Sequence, residues 1–471
     1  MRFHNTATRA IEEFEPLEAG HVRMYTCGPT VWNLVHVGNL RTFLFYDLLR
    51  RHLIASGYRV THVLNLTDVE DRIILRAAEQ GVTIRQYVQP FERAFFEDLG
   101  TLRVQRPEHV PRATEHVGGM MALIQTLLER GYAYPAEGDV YYRVDAFPDY
   151  GKLAHLDRRG LKAGARVSAD TYDKQDVVDF ALWKGEQTGE ADVGAVWEAP
   201  FGRGRPGWHI ECSAMSLAYL GPTFDLHAGG IDLLFPHHQN EVAQSEAANQ
   251  APFVRCWLHA EHLADATGEK MSKRLGNIAT LHDLLDAGHD PLAIRYFLLA
   301  GAHYRQRLRL EEAALHAAGE QVRRLRDFER RVQEVVTADV DDAPLVQELN
   351  DLRSHFRAAL DDDLNLPQAL GYLFDGVRLS NAALDARPVG SGGRAAMLAL
   401  LEAADAYLDI LRGEELKPDA EIERLVEERE AARGARDFAR ADALREELRA
   451  RGVQVKDTPS GPRLTRITTP G

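Results

Sequence analysis

The chain has 471 residues, 45% hydrophobic and 27% charged, with a formal charge of −15. That length exceeds a single hydrophobic core, so several domains are expected, and the balance is that of an ordinary globular protein. No apolar run reaches the roughly 18 residues of a membrane span, and the first residues lack a signal-peptide core, so a cytoplasmic protein is expected. Three cysteines, Cys27, Cys212 and Cys256, are too few for a disulfide framework. They are left as core residues, metal ligands or nucleophiles. The acidity argues against non-specific nucleic-acid binding but leaves room for a local basic patch.

In chain order, HVRMYTC (21 to 27) alternates and predicts a strand. GPTVWNLVHVGN follows as a loop. Leu40, Phe43, Leu44, Leu48 and the Leu53–Ile54 pair keep helical spacing over 39 to 55, and Gly57 ends that helix. YRVTHVLNLTD (58 to 68) predicts a second strand. This strand–helix–strand unit opens a parallel α/β sheet, where ligands gather between strand C-terminal ends and helix N-termini. Cys27, His36, Thr67 and Asp68 fall near such ends. Residues from about 115 to 200 read as an insertion containing the strand-like DVYYRV (139 to 144). The sheet pattern resumes at WHIECSAM and FDLHAGGIDLLFP, and VRCWLHAE predicts a strand with Cys256 in the core. From about 310 helix formers dominate. LNLPQALGYLFDGV starts a helix at the cap Asn365 with Pro367 in its first turn, and 386 to 394 read as a loop. After KPDAE come one charged helix (421 to 451), stopped by Gly452, and a hairpin turning at Pro459–Ser460–Gly461.

Four constellations can carry chemistry. His36-Val37-Gly38-Asn39 sits where a loop becomes a helix, a place suited to phosphate, with Gly38 giving a flat base access to the backbone; a plain helix cap is the alternative. Lys270-Met271-Ser272-Lys273-Arg274 can wrap a polyphosphate with two point charges, or be a solvated turn. Cys27, Cys212, His237 and Glu241 make a normal zinc set, with His237 and Glu241 stacked at i,i+4. Taken separately, the cysteines are also ordinary buried residues and the pair an ordinary polar helix face. Gly229-Gly230-Ile231-Asp232 permits close approach of a ligand, with Asp232 facing an amine or hydroxyl, or is a tight turn.

HVGN after the first strand, KMSKR much later and a helical C-terminal part together resemble the class I aminoacyl-tRNA synthetases, whose signatures are written HIGH and KMSKS. The likeness is closer still to the cysteinyl-tRNA synthetases and spans nearly the whole chain. It rests on YTCGPTVWNLVHVGNLRTF, LNLTDVEDRI, DFALWK, GRPGWHIECSAM, FDLHAGGIDLLFPHHQNEVAQSEA and MSKRLGN. The resemblance implies an α/β fold: a Rossmann-like catalytic domain in two halves (1–115 and 201–262) around a connective insertion (116–200). After it come a KMSKS-loop and stem-contact region (263–312), a helical bundle for the anticodon arm (313–413) and a small α+β anticodon-recognition unit (414–471). It implies activation of L-cysteine by ATP, with Mg²⁺, to cysteinyl-adenylate and pyrophosphate. Transfer to the 3′-terminal adenosine of tRNA(Cys) follows, in a monomeric enzyme.

The resemblance also implies roles. One Zn²⁺ per chain is held by Cys27, Cys212, His237 and Glu241 and binds the substrate thiolate. His36, Asn39, Lys270 and Lys273 serve the phosphates, and Gly38 and Gly230 make room for adenosine. Gly28, Thr67 and Trp208 line the amino-acid pocket, and Asp232 meets the substrate ammonium or the ribose. An apolar pocket separates close analogues by only about 10- to 200-fold, whereas a zinc–thiolate bond rejects serine far more strongly. No editing domain is then needed, in keeping with an insertion of about 85 residues. His209 and His238 are left between orienting zinc and touching substrate, and His259 and His262 fall near the adenosine site. Arg323, Arg324 and Arg326 could meet tRNA phosphate or pair with nearby acids. Asn39 stands where the signature ends in histidine, Arg274 where it ends in serine, and DVVDF lacks a proline often found before DFALWK.

Three rivals remain. A ligase joining cysteine to an amino sugar lacks a full anticodon tail, and about 60 residues follow the bundle here. A small nucleotidyltransferase lacks the lysine loop and long helical part. A non-catalytic RNA-binding paralogue would have lost ligands or lysines.

Overall fold

Four parallel strands form the central sheet: β1 (His21–Thr26), β2 (Arg59–Leu64), β3 (Phe224–Gly230) and β4 (Val254–Ala260), in the order β4–β3–β1–β2. The structure, a computed structural model, describes residues 1–156, 161–167, 177–265, 268, 279–411, 420–434, 437–451, 453–458 and 461–466. β3 is buried along its whole length, as a central strand covered on both faces must be. Helix α1 (Val37–Ala55) crosses from β1 to β2, and begins two residues before the expected 39 because His36 caps it. β2 ends at Leu64 rather than 68. Beyond it the chain leaves the ladder to bridge Leu66 with Arg112 and Thr67 with Thr30.

WHIECSAM, expected to resume the sheet, is instead the start of helix α2 (Trp208–Leu220). Almost every residue of its first three turns is buried, and a helix buried all round has no periodicity to separate it from a strand. Gly207, just before it, packs so closely that a Cβ would lie 2.3 Å from the Ala181 carbonyl oxygen. Ala133–Ala136, Asp139–Tyr142, Leu161–Val167 and Val177–Gly185 of the insertion form a separate five-stranded sheet, whose fifth strand, Gly204–Pro206, lies just beyond the expected end at 200. Helix α3 (Gln239–Asn249) precedes β4, which buries Cys256 as expected.

The helical part contains α4 (Pro291–Ala300), α5 (Glu312–Glu334), α6 (Ala343–Asp361), α7 (Leu366–Ala386) and α8 (Ser391–Leu408). Asn365 caps α7 through its side chain and Pro367 lies in the first turn, as the sequence predicts. The expected loop 386 to 394 shrinks to 387 to 390. Gly393 belongs to α8, where a Cβ would sit 2.6 Å from Asp342 Oδ2, so its smallness serves packing rather than a turn. The single helix expected over 421 to 451 is two, Ala420–Gly434 and Phe438–Ala450, because Asp437 caps the second through the Arg440 N–H. Antiparallel strands Val453–Thr458 and Gly461–Arg466 follow as the expected hairpin, with Gly461 in the second strand, opposite Thr458, and not in the turn. Gly452, Pro459 and Ser460 lie outside the described residues. Among the described residues no helix is long and apolar enough to cross a membrane.

Buried arginines tie these layers together. Arg41 on α1 donates to four carbonyls, those of Glu261, His262, His303 and Gln306, at 2.6 to 3.3 Å. Burial pushes its guanidinium down to about 10.

Just beyond β1 and β2 the backbones nearly touch. Val31 N–H donates to the Thr67 carbonyl and Thr67 N–H to the Pro29 carbonyl, each at 3.1 Å. A Cβ on Gly28 would lie 1.7 Å from the Asn65 carbonyl oxygen. Gly28→Ala is therefore expected to cost about 3 kcal/mol through overpacking against rigid backbone. Thermal or denaturant unfolding measures this, and an unchanged midpoint would contradict the packing argument.

Candidate active site and its metal centre

The site lies at the C-terminal edge of the sheet, where β1 and β3 end and α1 begins. His36 and Asn39 form a reciprocal cap on α1. Asn39 N–H donates to His36 Nδ1, and His36 N–H donates to Asn39 Oδ1, both at 3.2 Å. A Cβ on Gly38 would meet that His36 ring at 2.9 Å, so this glycine makes room first for the cap. Val37 N–H donates to the Ala279 carbonyl at 2.8 Å, which fixes the chain just after the lysine segment against the same turn. Lys270 and Lys273 themselves lie outside the described residues.

Cys27 follows β1, Cys212 lies on α2, His237 sits in the turn before α3, and Glu241 is in the first turn of α3. All four are buried and their ligand atoms lie within 4.8 Å of one another. The two sulfurs are 4.0 Å apart, Cys27 Sγ is 3.9 Å from Glu241 Oε1, and His237 Nε2 is 3.4 Å from Cys212 Sγ and 3.1 Å from Glu241 Oε1. A tetrahedron with zinc-like bond lengths has edges of about 3.3 to 3.8 Å, so the donors already stand near the required spacing.

The electrostatics say the same. Burial pushes the Cys27 thiol well up. Burial also opposes the Cys212 thiolate, but the Cys27 hydrogen bond and His237 bring it down to about 6. Burial opposes the His237 cation, yet Cys212 and Glu241 lift it to about 10. Glu241, against its own burial, is held down to about 2 by His227 and His237. Thiolate and carboxylate together demand a cation, and without a metal they recruit a proton onto His237.

A ring of histidines surrounds this cluster. His227 Nε2 contacts Glu241 Oε2 at 3.0 Å, and His209 Nδ1 contacts His237 Nδ1 at 3.0 Å. His238 Nε2 is 3.3 Å from Cys27 Sγ, and its Nδ1 is 2.8 Å from His259 Nε2. Burial lowers His209, His238 and His259, keeping them neutral near pH 7. Cys27, His227, His238 and Glu241 form a second donor set overlapping the first. His227 was not singled out by the sequence, because it sits mid-strand with no motif spacing to its partners. Trp208 stacks on His237 at 4.3 Å between centroids. Thr67 Oγ1 donates to Glu211 Oε2 at 3.0 Å, which brings in a buried acid within WHIEC that no motif spacing marks. At the end of β3, a Cβ on Gly229 would strike His238 and one on Gly230 would lie 2.5 Å from Asp232 Oδ1. Cys256 stands apart, its thiol pushed up to about 12 by burial.

The pattern described as "tRNA synthetases class I (C) catalytic domain" matches residues 13–320, a "DALR domain" matches 355–414, and a "Cysteinyl-tRNA ligase anticodon binding domain" matches 417–461. A "Cysteine--tRNA ligase" of Solibacter usitatus is 46% identical over 470 residues, covering 99% of both chains. That of Protochlamydia amoebophila is 42% identical, covering 99% of this chain and 98% of its own. The chain belongs to the cysteine–tRNA ligase family.

Solved structures agree on the fold. A Mycobacterium tuberculosis methionyl-tRNA synthetase in complex with methionyl-adenylate aligns with a TM-score of 0.59 at 15% identity, covering 83% of this chain and 90% of that one. An Agrobacterium radiobacter LeuRS–tRNA–LeuAMS complex aligns at 0.60 and 11% identity, covering 85% of each. As a class I synthetase of the cysteine–tRNA ligase family, the protein carries Asn39 where the HIGH signature ends. The cap explains that residue, since an amide reaches back to the His36 N–H. Of the bundle arginines, Arg323 pairs with Glu320, Arg324 lies over Phe374, and Arg326 holds the Ile410 carbonyl and Asp290.

Cys212→Ser replaces a thiolate donor with a hydroxyl, a far poorer zinc ligand. Elemental analysis is expected to find about one zinc per wild-type chain and a much lower content in the variant after dialysis against a chelator. Equal metal content in both would remove Cys212 from the ligand set.

Proposed function

We propose that the protein activates L-cysteine with ATP and transfers the cysteinyl group to the 3′-terminal adenosine of tRNA(Cys). The observation that carries this is the buried, sulfur-containing donor cluster at the same sheet edge as the capped start of α1. One end suits sulfur and the other suits phosphate.

Cys27, Cys212, His237 and Glu241 would hold Zn²⁺, which supplies a soft Lewis acid preferring a thiolate to a hydroxyl. His209 and His227 are placed to orient His237 and Glu241, and His238 to support Cys27. Trp208, stacked on His237, and Thr67, tied to Glu211, would wall the pocket, with the Gly28 backbone at its floor. Asp232 would meet the substrate ammonium or the ribose. The carboxylate of cysteine then attacks the α-phosphorus of ATP, and pyrophosphate leaves. Positioning and charge neutralisation do most of this work. The His36–Asn39 turn would face the phosphates, Gly38 and Gly230 would pass the adenosine, and Lys270, Lys273 and Mg²⁺ would neutralise the pyrophosphate. In the second step the tRNA ribose hydroxyl attacks the acyl carbon and AMP leaves.

The amino-sugar ligase reading loses ground to the matched anticodon-binding region at 417–461. Cysteine-dependent ATP–pyrophosphate exchange is expected, with serine at least about a thousandfold slower, because a site built for one polar group rejects an analogue lacking it. A comparable serine rate would end the thiolate-selection reading. The purified protein should also charge tRNA(Cys) and leave an aminated sugar untouched. Acylation of the sugar with none of the tRNA would reverse the assignment.

A further inference from the structure

Asp47 and Arg51 lie four residues apart on α1, toward the end away from the metal centre. Asp47 Oδ2 accepts from Arg51 Nε at 2.8 Å and from Arg295 Nη2 of α4 at 2.7 Å, and its Oδ1 accepts the Gln105 N–H at 2.9 Å. The two guanidiniums then reach the last turn of α8. Arg51 Nη1 donates to the Ala406 carbonyl at 3.2 Å. Arg295 donates to the Tyr407 carbonyl at 3.0 Å through Nη2 and to the Leu408 carbonyl at 2.5 Å through Nε. Helix-end carbonyls lack partners within the helix and carry partial negative charge, so two cations suit that position. Asp409, in the left-handed conformation at φ 50°, closes the set with Oδ2 3.0 Å from Arg51 Nη2.

Asp47, Arg51, Arg295 and Asp409 carry two positive and two negative charges, and the first three side chains are 0%, 8% and 0% exposed; at the rim, Arg103 Nη1 lies 3.6 Å from Asp409 Oδ1 and donates to the Asp409 carbonyl at 3.0 Å. Beside them His52 Nε2 meets Asp361 Oδ1, at the end of α6, at 3.1 Å. Arg357 of α6 donates to the Ala55 carbonyl at 2.6 Å. A buried charge network of this kind adds little net stability over an apolar one, but its directional bonds can fix one geometry. α1 has 19 residues, a rod of about 28 Å. One end carries His36 and Asn39, and the other grips α8 just before the anticodon-binding region at 417–461.

We infer that the Asp47–Arg51–Arg295–Asp409 quartet is a positioning device for tRNA. It holds the helical bundle in register with the active-site end of α1, and so governs the transfer step and not adenylate formation. The inference rests on the tRNA-ligase reading above.

The test uses full-length, zinc-loaded protein with Asp409→Asn, Arg51→Gln and both together. Asparagine tolerates the left-handed backbone, and Asp409 is 26% exposed, so that variant keeps the test open if Arg51→Gln fails to fold. Exchange of pyrophosphate without tRNA is expected to stay within about twofold of wild type. The kcat/KM for tRNA charging should fall about tenfold, with the double variant no worse than the worse single one. Parallel loss of exchange and charging would reduce the quartet to a folding feature, and unchanged or additive charging would also overturn the inference. Wild-type protein that exchanges pyrophosphate but charges no tRNA would instead sink the tRNA-ligase reading itself, and the inference with it.

Discussion

The site depends on four donor atoms from three separate chain segments meeting inside a space the size of one ion. Burying two thiols, an imidazole and a carboxylate there is unfavourable unless a cation satisfies them together. Cys27 can be there only because β1 ends beside β3, where the Cys27 N–H donates to the Ala228 carbonyl. Cys212 requires α2 to be a helix, and Glu241 requires α3 to start directly after the His237–His238 pair. His209, His238 and His259 are kept neutral by burial and are hydrogen-bonded, so they constrain the donor side without adding charge to a cluster already carrying two anions. The same crowding explains the glycines at 28, 229 and 230, where a methyl group would collide with backbone, His238 or Asp232.

A second constraint runs along α1. Its residues Arg41, Asp47, Arg51 and His52 are buried although charged or polar, and each meets a segment from elsewhere in the chain. Arg41 gathers the carbonyls of the strand edge entering the lysine segment and of the turn near 303 to 306. Arg51 and Arg295 gather the end of the bundle. Arginine suits such joints, because a planar fork of five N–H groups can satisfy several carbonyls in fixed directions. One helix therefore relates the His36–Asn39 cap, the entry to the lysine segment and the end of the helical bundle.

Much of this was legible in the amino-acid order. The opening strand–helix–strand unit, the cap at Asn365, the C-terminal hairpin and the burial of Cys256 follow from local pattern. WHIECSAM did not, because a helix buried all round has no polar face to show its period. The break in the C-terminal helix was hidden because Asp437 reads as one more charged residue in a charged run. Gly392 and Gly393 read as loop, whereas close packing against the Asp342 turn is what requires Gly393 to be small.

The sequence by itself determined the family and the donor types, since long stretches such as FDLHAGGIDLLFPHHQNEVAQSEA leave few alternatives once joined to HVGN and MSKRLGN. It also named Cys27, Cys212, His237 and Glu241, but as a set through likeness, because apart from the i,i+4 pair His237/Glu241 their spacing along the chain carries no signal. Only the tertiary structure decided that those four atoms converge, that His227 backs Glu241, that Glu211 stands beside Thr67, and that Arg51 and Arg295 clamp α8. These are contacts between residues tens to hundreds of positions apart. Their distances are set by how strands and helices pack, which no local pattern encodes.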